Sequence, residues 1–100
     1  MNAAARAEVE ALPQDMRARF ERIVTLIRDH GLEKVHEPYV RHLDGKLWEM
    51  RLKGKAGIAR SLYVTASGQR IVILRSFVKK TEKTPTHELH LALARAKELR

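Results

Sequence analysis

The spacing of apolar side chains predicts a helix in the first third of the chain. Six such residues recur at intervals of three and four, which places them on one face of an α-helix. They are Leu12, Met16, Phe20, Ile23, Val24 and Ile27. Pro13 suits a first helical turn, and Gly31 suits the end of a helix.

Downstream of this helix, apolar and polar side chains alternate as they do in a half-buried strand. The segment from Tyr39 to Leu43 is predicted to be extended, and Asp44-Gly45 is a strong turn signal. In the run KLWEMRLK that follows, one predicted face carries Trp48, Met50 and Leu52, and the other carries Glu49, Arg51 and Lys53.

Two further strands follow short connections, which favour antiparallel pairing. The glycine- and lysine-rich link KGKAG leads to a predicted strand at 58–65, and Ser67-Gly68 turns the chain into another at 70–77. Ile71 to Leu74 are apolar on both faces. We therefore expect the last strand to lie in the middle of the sheet.

Thr84-Pro85 predicts the start of a terminal helix, with Thr84 as its cap. Its predicted apolar stripe consists of Leu89, Leu93 and Ala96, with Ala92 beside them. The predicted fold class is α+β: N-terminal helices, a curled antiparallel sheet of three to four strands and a C-terminal helix, in one domain over 1–100.

Positive charge is concentrated in the strand-rich segment 46–83. Ten lysines and arginines against two acids give this segment a formal charge of +8, the whole formal charge of the protein. Such a surface predicts salt-dependent affinity for nucleic acid, because each neutralised phosphate releases counterions. The alternative is a solvated surface that keeps a small protein soluble.

Composition excludes several other classes of function. The chain has no cysteine, which removes disulfides, thiolate nucleophiles and cysteine-based zinc sites. His87 and His90 lie three residues apart without a third implied ligand, so we expect no metal and no cofactor. The chain shows no long apolar run and no secretory signal, and we expect a cytoplasmic protein without membrane contact.

Arg60 is the most informative single residue, because it shares a predicted strand face with Ile58, Leu62 and Val64. Strand alternation predicts that Arg75 lies on the same face as Ile71 and Ile73. For either arginine alone, a structural role, in which the side chain reaches solvent or pairs with Glu49, explains the pattern about as well as a functional role does.

As a set, the basic residues favour a phosphate site. Strand alternation brings Arg60 and Arg75 together with Arg51 and Lys53, and such cations repel one another by about 1 kcal/mol per exposed pair until an anion binds. Further predicted RNA contacts are Lys55, Phe77, Lys80 and Lys83, and Lys79 is a further catalytic candidate.

The chain resembles a known toxin family. The run KLWEMRLKGKAGIARSLYV, then RIVILRSFVKKTEKTP and an alanine- and charge-rich final helix, is similar to the phage-derived HigB-like toxins of the RelE/ParE superfamily over about residues 12–99. The resemblance implies the toxin half of a type II toxin–antitoxin pair. It implies cleavage of messenger RNA on the ribosome, translation inhibition, growth arrest and neutralisation by a cognate antitoxin, often of helix-turn-helix type.

The same resemblance assigns roles to individual residues. By position, the arginines of the IARSLYV and RIVILRSF strands are Arg60 and Arg75, the FVKK lysines are Lys79 and Lys80, and Arg51 and Lys53 come from the preceding strand. Many relatives begin with a strand where this chain has MNAAARAEVE, so that strand is expected to be absent or replaced by a helix.

The predicted mechanism is that of an endoribonuclease, a hydrolase acting by charge stabilisation. Arg60 and Arg75 grip the scissile phosphate, the ribose 2′-hydroxyl attacks, and Lys53 or Lys79 transfers the proton. Two alternatives stay open: a ParE-like inhibitor of DNA gyrase, and a non-catalytic module that binds RNA or the ribosome.

Overall fold

Across residues 2–31, 40–66, 70–79 and 84–98, which the computed structural model describes, the chain has the predicted α+β fold. The helices are α1 (Ala3–Glu10), α2 (Gln14–His30) and α3 (Thr86–Lys97). The strands are β1 (Val40–Asp44), β2 (Leu47–Gly54), β3 (Gly57–Ala66) and β4 (Arg70–Lys79). They form one antiparallel sheet in chain order.

The N-terminal segment is helical, so a helix stands where many relatives are expected to have their first strand. The side chain of Asn2 accepts a hydrogen bond from the backbone N–H of Ala5 at 2.8 Å and so caps α1. The Arg17 guanidinium of α2 donates to the backbone carbonyl of Glu10 at 3.1 Å, where α1 ends. The predicted end of α2 is confirmed, since Gly31 has a left-handed φ of 82°.

The sheet carries a separate apolar core on each face. One core joins α1 and α2 to the sheet, and its sheet residues are Val40, Met50, Leu52, Ala59, Tyr63 and Ile73. The other core lies under α3 and contains Leu47, Leu62, Leu74 and Ala92. The predicted alternation in β2 is confirmed, because Met50 and Leu52 lie in the first core and Leu47 in the second.

The prediction that residues 70–77 form a middle strand is wrong. Among the described strands β4 is the last in the sheet, and it pairs only with β3. Its apolar character on both faces has a different cause, since Ile73 packs in the core of α1 and α2 while Leu74 packs in the core of α3. The predicted Ser67-Gly68 turn lies outside the described residues, as does Tyr39.

A β-bulge changes the face on which Arg75 lies. Leu62 pairs with Arg75, but the next residue, Tyr63, pairs with Ile73, so β4 holds one extra residue, Leu74. The sequence prediction that Arg75 shares a face with Ile73 is therefore wrong. Arg75 lies on the face of Leu62 instead, because residues directly opposite each other project to the same side.

Two predictions for the terminal helix also need correction. Pro85 is the N-cap residue of α3, and the hydroxyl of Thr84 donates to the Glu49 carboxylate at 2.9 Å instead of capping the helix. Leu93 is 38% exposed, whereas Ala92 is fully buried. None of the described helices is both long enough and apolar enough to span a membrane.

Candidate nucleic-acid interface

The pairing of β2, β3 and β4 collects basic residues at the end of the sheet near the β2–β3 turn. Arg51 pairs with Arg60, Lys53 pairs with Ile58, and Arg60 also pairs with Phe77 on the other side. Arg51, Arg60 and Phe77 therefore lie side by side on one face. Lys55 lies in the turn itself, between β2 and β3.

The cations at this end of the sheet differ in their exposure to solvent. Lys53 and Lys55 are exposed and Arg51 is half-buried, and among the described residues none of these three side chains forms an ion pair. The Asp15 carboxylate is close enough to Lys55 to interact with its charge, but no carboxylate of the described residues contacts the three cations. We call these three side chains the hairpin cations, and they are accessible to an anion.

Arg60 is in the opposite situation. It is 3% exposed, and its guanidinium forms an ion pair with Glu49, which is 1% exposed. The second carboxylate oxygen of Glu49 accepts the hydrogen bond from Thr84, so the pair ties β2 and β3 to the residues before α3. A buried ion pair of this kind fixes the relative position of three segments.

Arg75 is held by carboxylates from two helices. Its Nε donates to Glu88 of α3 at 2.7 Å, and its Nη1 lies 2.6 Å from Glu8 of α1. Arg95 of α3 also donates to Glu8, at 2.9 Å, and to the carbonyl of Leu74 at 2.7 Å. The network joins α1, β4 and α3 around the outer edge of β4.

The contacts within this network favour the charged forms of Glu8 and Arg75. Burial raises the pKa of Glu8, but hydrogen bonds from Arg95 and Arg75 and from the backbone of Ser76 bring that pKa below its ordinary value. The hydrogen bond to Glu88 raises the pKa of Arg75, and the one to Glu8 adds to this effect. Arg75 is therefore a charged group with carboxylate partners already in place.

Sequence reasoning missed Glu8 and Glu88 as partners of Arg75. The signal was present for Glu88, which stands four residues before the buried Ala92 on the same helical face and is itself 6% exposed. A carboxylate on the buried face of a helix predicts an ion pair with a basic side chain. Glu8 carried no comparable signal, since it contacts β4 across 67 or 68 residues of sequence.

Asp15 fixes the β2–β3 turn to the start of α2. Its Oδ2 accepts a hydrogen bond from the backbone N–H of Lys55 at 2.8 Å, and its Oδ1 accepts one from the N–H of Met16 at 2.9 Å. The hydrogen bond from Lys55 lowers the pKa of Asp15 most. A Cβ on Gly54 would lie 2.7 Å from Oδ2 of Asp15, so only glycine allows this approach.

The remaining predicted contact residues belong to the last part of β4 or follow it in the sequence. The backbone of Lys79 pairs with Ile58, next to Lys53 in the register. Phe77 is half-buried against the α3 core, and the Cζ atom of Arg75 lies 5.8 Å from its ring centroid. Lys80 and Lys83 lie outside the described residues.

Histidine and carboxylate side chains are the ligands that a metal site in this chain would need, since the chain has no cysteine. No three such side chains in the described ranges come together in a way that would hold a metal ion. His87 and His90 are both exposed on α3.

Most of the chain matches one protein family. The model of the family described as Phage derived protein Gp49-like (DUF891) matches residues 7–97, so the chain belongs to this family. The family is part of the toxin–antitoxin-like group of RelE/HigB-type toxins. No curated protein sequence matches the chain significantly.

Proposed function

We propose that this chain is the toxin of a type II toxin–antitoxin pair and that it cleaves messenger RNA on the translating ribosome. The observation that carries the proposal is the contrast between two kinds of cation. Arg60 and Arg75 form ion pairs with carboxylates, whereas the hairpin cations, Arg51, Lys53 and Lys55, form no ion pair among the described residues.

The unpaired charges favour a polyanionic substrate. Exposed ammonium and guanidinium groups near one another gain favourable interactions when a phosphate approaches, and the released counterions add entropy. The pairing of Arg51 with Arg60 and of Lys53 with Ile58 places these groups on a sheet, which is more rigid than a free loop. RNA supplies both the phosphates and the 2′-hydroxyl that the proposed reaction needs.

The proposed chemistry is an internal transesterification. The 2′-oxygen attacks the adjacent phosphorus, the bond from phosphorus to the 5′-oxygen breaks, and the products are a 2′,3′-cyclic phosphate and a 5′-hydroxyl. The 2′-hydroxyl loses one proton and the 5′-oxygen gains one, so no cofactor is consumed. Lys53 is assigned to proton transfer, together with the predicted Lys79, and Arg51 to the charge that develops on the phosphate.

Arg60 and Arg75 take a different place in this proposal from the one the sequence suggested. A direct grip on the phosphate stays a prediction, and it requires the phosphate to replace Glu49 or Glu8 and Glu88 as the partner. Arg60 is assigned here as a positioning residue, because its ion pair holds the strand that carries Arg51. Lys55 and Phe77, with Lys80 and Lys83, are assigned to RNA binding.

The proposed partners are the ribosome with its messenger RNA and a cognate antitoxin. The toxin-like group to which the family belongs implies the antitoxin. A helix-turn-helix antitoxin is part of the proposal only through the resemblance to HigB-like toxins.

Expression of matched variants tests the function. We expect induction of the wild-type chain to arrest growth and to produce new 5′-hydroxyl ends in messenger RNA, and Lys53→Gln to abolish both effects. Lys46→Gln is the matched control, because Lys46 is equally exposed but lies at the other end of β2. Both variants should unfold at the wild-type urea concentration.

Other results identify the alternative functions. DNA damage with intact messenger RNA indicates the gyrase inhibitor. Harmless induction together with binding to ribosomes indicates a non-catalytic module. Full cleavage activity in Lys53→Gln removes the assigned proton transfer.

A further inference from the structure

An open groove runs along α2 and begins where this helix meets the β2–β3 turn. Its described lining consists of Asp15, Ala18, Arg19 and Arg22, and it offers a volume of about 490 Å³. Residues spaced by three, four and seven lie on one side of an α-helix. At 1.5 Å of rise per residue, the line from Asp15 to Arg22 covers roughly 10 Å.

The two arginines of this groove, Arg19 and Arg22, are exposed, and among the described residues neither forms an ion pair or a side-chain hydrogen bond. The Asp15 carboxylate beside them accepts hydrogen bonds from the backbone of Met16 and of Lys55 and keeps its negative charge. The described lining therefore holds two positive charges against one negative charge, which leaves it net positive.

The groove adjoins the β2–β3 turn that carries Lys55. The backbone N–H of Lys55 lies 2.8 Å from Asp15, which lines the groove, and Gly54 allows this close packing. Lys53 projects to the other face of the sheet, because its neighbour Leu52 lies in the core of α1 and α2. An RNA strand that contacts both Lys53 and the groove must therefore pass around this turn. The proximity of α2 to the turn was not visible in the sequence, where residues 1–45 carry seven bases and eight acids.

We propose that Arg19 and Arg22 of α2 form a second phosphate-binding surface, which holds the backbone of the RNA strand bound at the hairpin cations. The proposal rests on the proposed function and adds the part of the molecule that binds RNA beyond the scissile linkage. RNA is favoured over an acidic protein segment because Ala18 is the only apolar side chain in the described lining. A protein segment needs an apolar anchor at the centre of its interface.

Salt-dependent binding of a labelled RNA tests this surface. The probe is a short fluorescein-labelled polyuridine strand, and its affinity is measured by fluorescence anisotropy at several KCl concentrations. Each phosphate contact in a single strand contributes about 0.7 to the slope of log K against log salt. We expect Arg19→Gln with Arg22→Gln to lower this slope by about 1.4.

The control removes the same charge from elsewhere. Arg6 of α1 and Arg28 near the end of α2 are also exposed. Arg6→Gln with Arg28→Gln should leave the slope near its wild-type value. Equal losses in the two double variants overturn the proposal, and so does a loss of binding to poly-glutamate without a change in RNA binding.

The test of the second surface and the test of the proposed function can fail independently. A wild-type chain that cleaves messenger RNA, combined with identical slopes in the two double variants, contradicts only the second surface. A wild-type chain that binds the probe through Arg19 and Arg22 but cleaves no messenger RNA contradicts only the catalytic proposal.

Discussion

Glu49 of β2 and Arg60 of β3 form an ion pair in the interior of the protein. Both lie almost entirely out of solvent, on neighbouring strands, and the carboxylate has Thr84 as a second partner. The pair therefore connects the basic end of the sheet to the start of α3.

Removal of one partner should destabilise the fold strongly. We expect Glu49→Leu to lower the free energy of unfolding by about 3–5 kcal/mol, because it leaves a guanidinium buried without its carboxylate. Urea unfolding measures the change. The matched control is Glu49→Leu combined with Arg60→Met, which should recover most of the lost stability. A double variant as unstable as Glu49→Leu alone would contradict this account.

Acid should weaken the docking of α1 through Glu8. Since the pKa of Glu8 is lower in the folded chain than the ordinary 4.5, its contribution is complete above that value and is lost as pH falls through the folded pKa. At neutral pH we expect Glu8→Gln to cost about 2 kcal/mol, because its charge-assisted hydrogen bonds are weakened. Urea unfolding of both chains should show this difference shrinking below pH 4.5. A difference that stays constant into acid would rule out the ion pairs as its source.

Gly54 should tolerate no larger residue while Asp15 is present. We expect Gly54→Ala to lower the free energy of unfolding by about 1–3 kcal/mol, because the added Cβ overpacks against Asp15 and Met16. Thermal unfolding measures this loss. The cost should be smaller in an Asp15→Ala background, where the contact with the Asp15 carboxylate is gone and the contact with Met16 at 2.8 Å remains. Equal costs in the two backgrounds would show that the contact with Asp15 is not the cause.

Tyr63 should be replaceable by phenylalanine. Its side chain is fully buried in the core of α1 and α2, and its hydroxyl has no hydrogen-bond partner among the described residues. We expect Tyr63→Phe to be neutral or to raise stability by about 1 kcal/mol, because an unsatisfied buried hydroxyl is removed.

The stability of wild type and of Tyr63→Phe at alkaline pH gives a second test. Burial raises the pKa of Tyr63 from 10.0 to about 12, so the folded state keeps a proton that the unfolded state releases. Wild type should therefore lose stability as pH rises from 10 towards about 12, and Tyr63→Phe should lose less. A clear destabilisation by phenylalanine at neutral pH would mean that the hydroxyl has a partner.

The sequence predicts the order of the elements well because their signals are local. Apolar spacing gave α2, and the Asp44-Gly45 signal gave the turn between β1 and β2. The face of Arg75 was predicted wrongly because one extra residue, Leu74, shifts the alternation, and composition does not reveal a bulge. The predicted position of β4 in the sheet was wrong. Apolar residues on both faces of a strand show that both faces are buried, but they do not show whether both edges pair with other strands.

The candidate site was harder to predict than the fold. The convergence of Arg51 and Arg60 follows from register and could be anticipated. The carboxylates that neutralise Arg75 come from α1 and α3, and long-range packing brings them to β4. A sequence shows which residues are basic, but it does not show which of them stay unpaired.

The side chains at the outer edge of β4 also limit how copies of this protein can associate. Glu8 accepts from the N–H of Ser76 at 3.2 Å and Arg95 donates to the carbonyl of Leu74 at 2.7 Å, so backbone groups that a foreign strand would need are already occupied. A neighbouring molecule cannot extend the sheet at this point without first breaking the charge network. The same contacts that fasten α1 and α3 thus protect an aggregation-prone margin of the sheet.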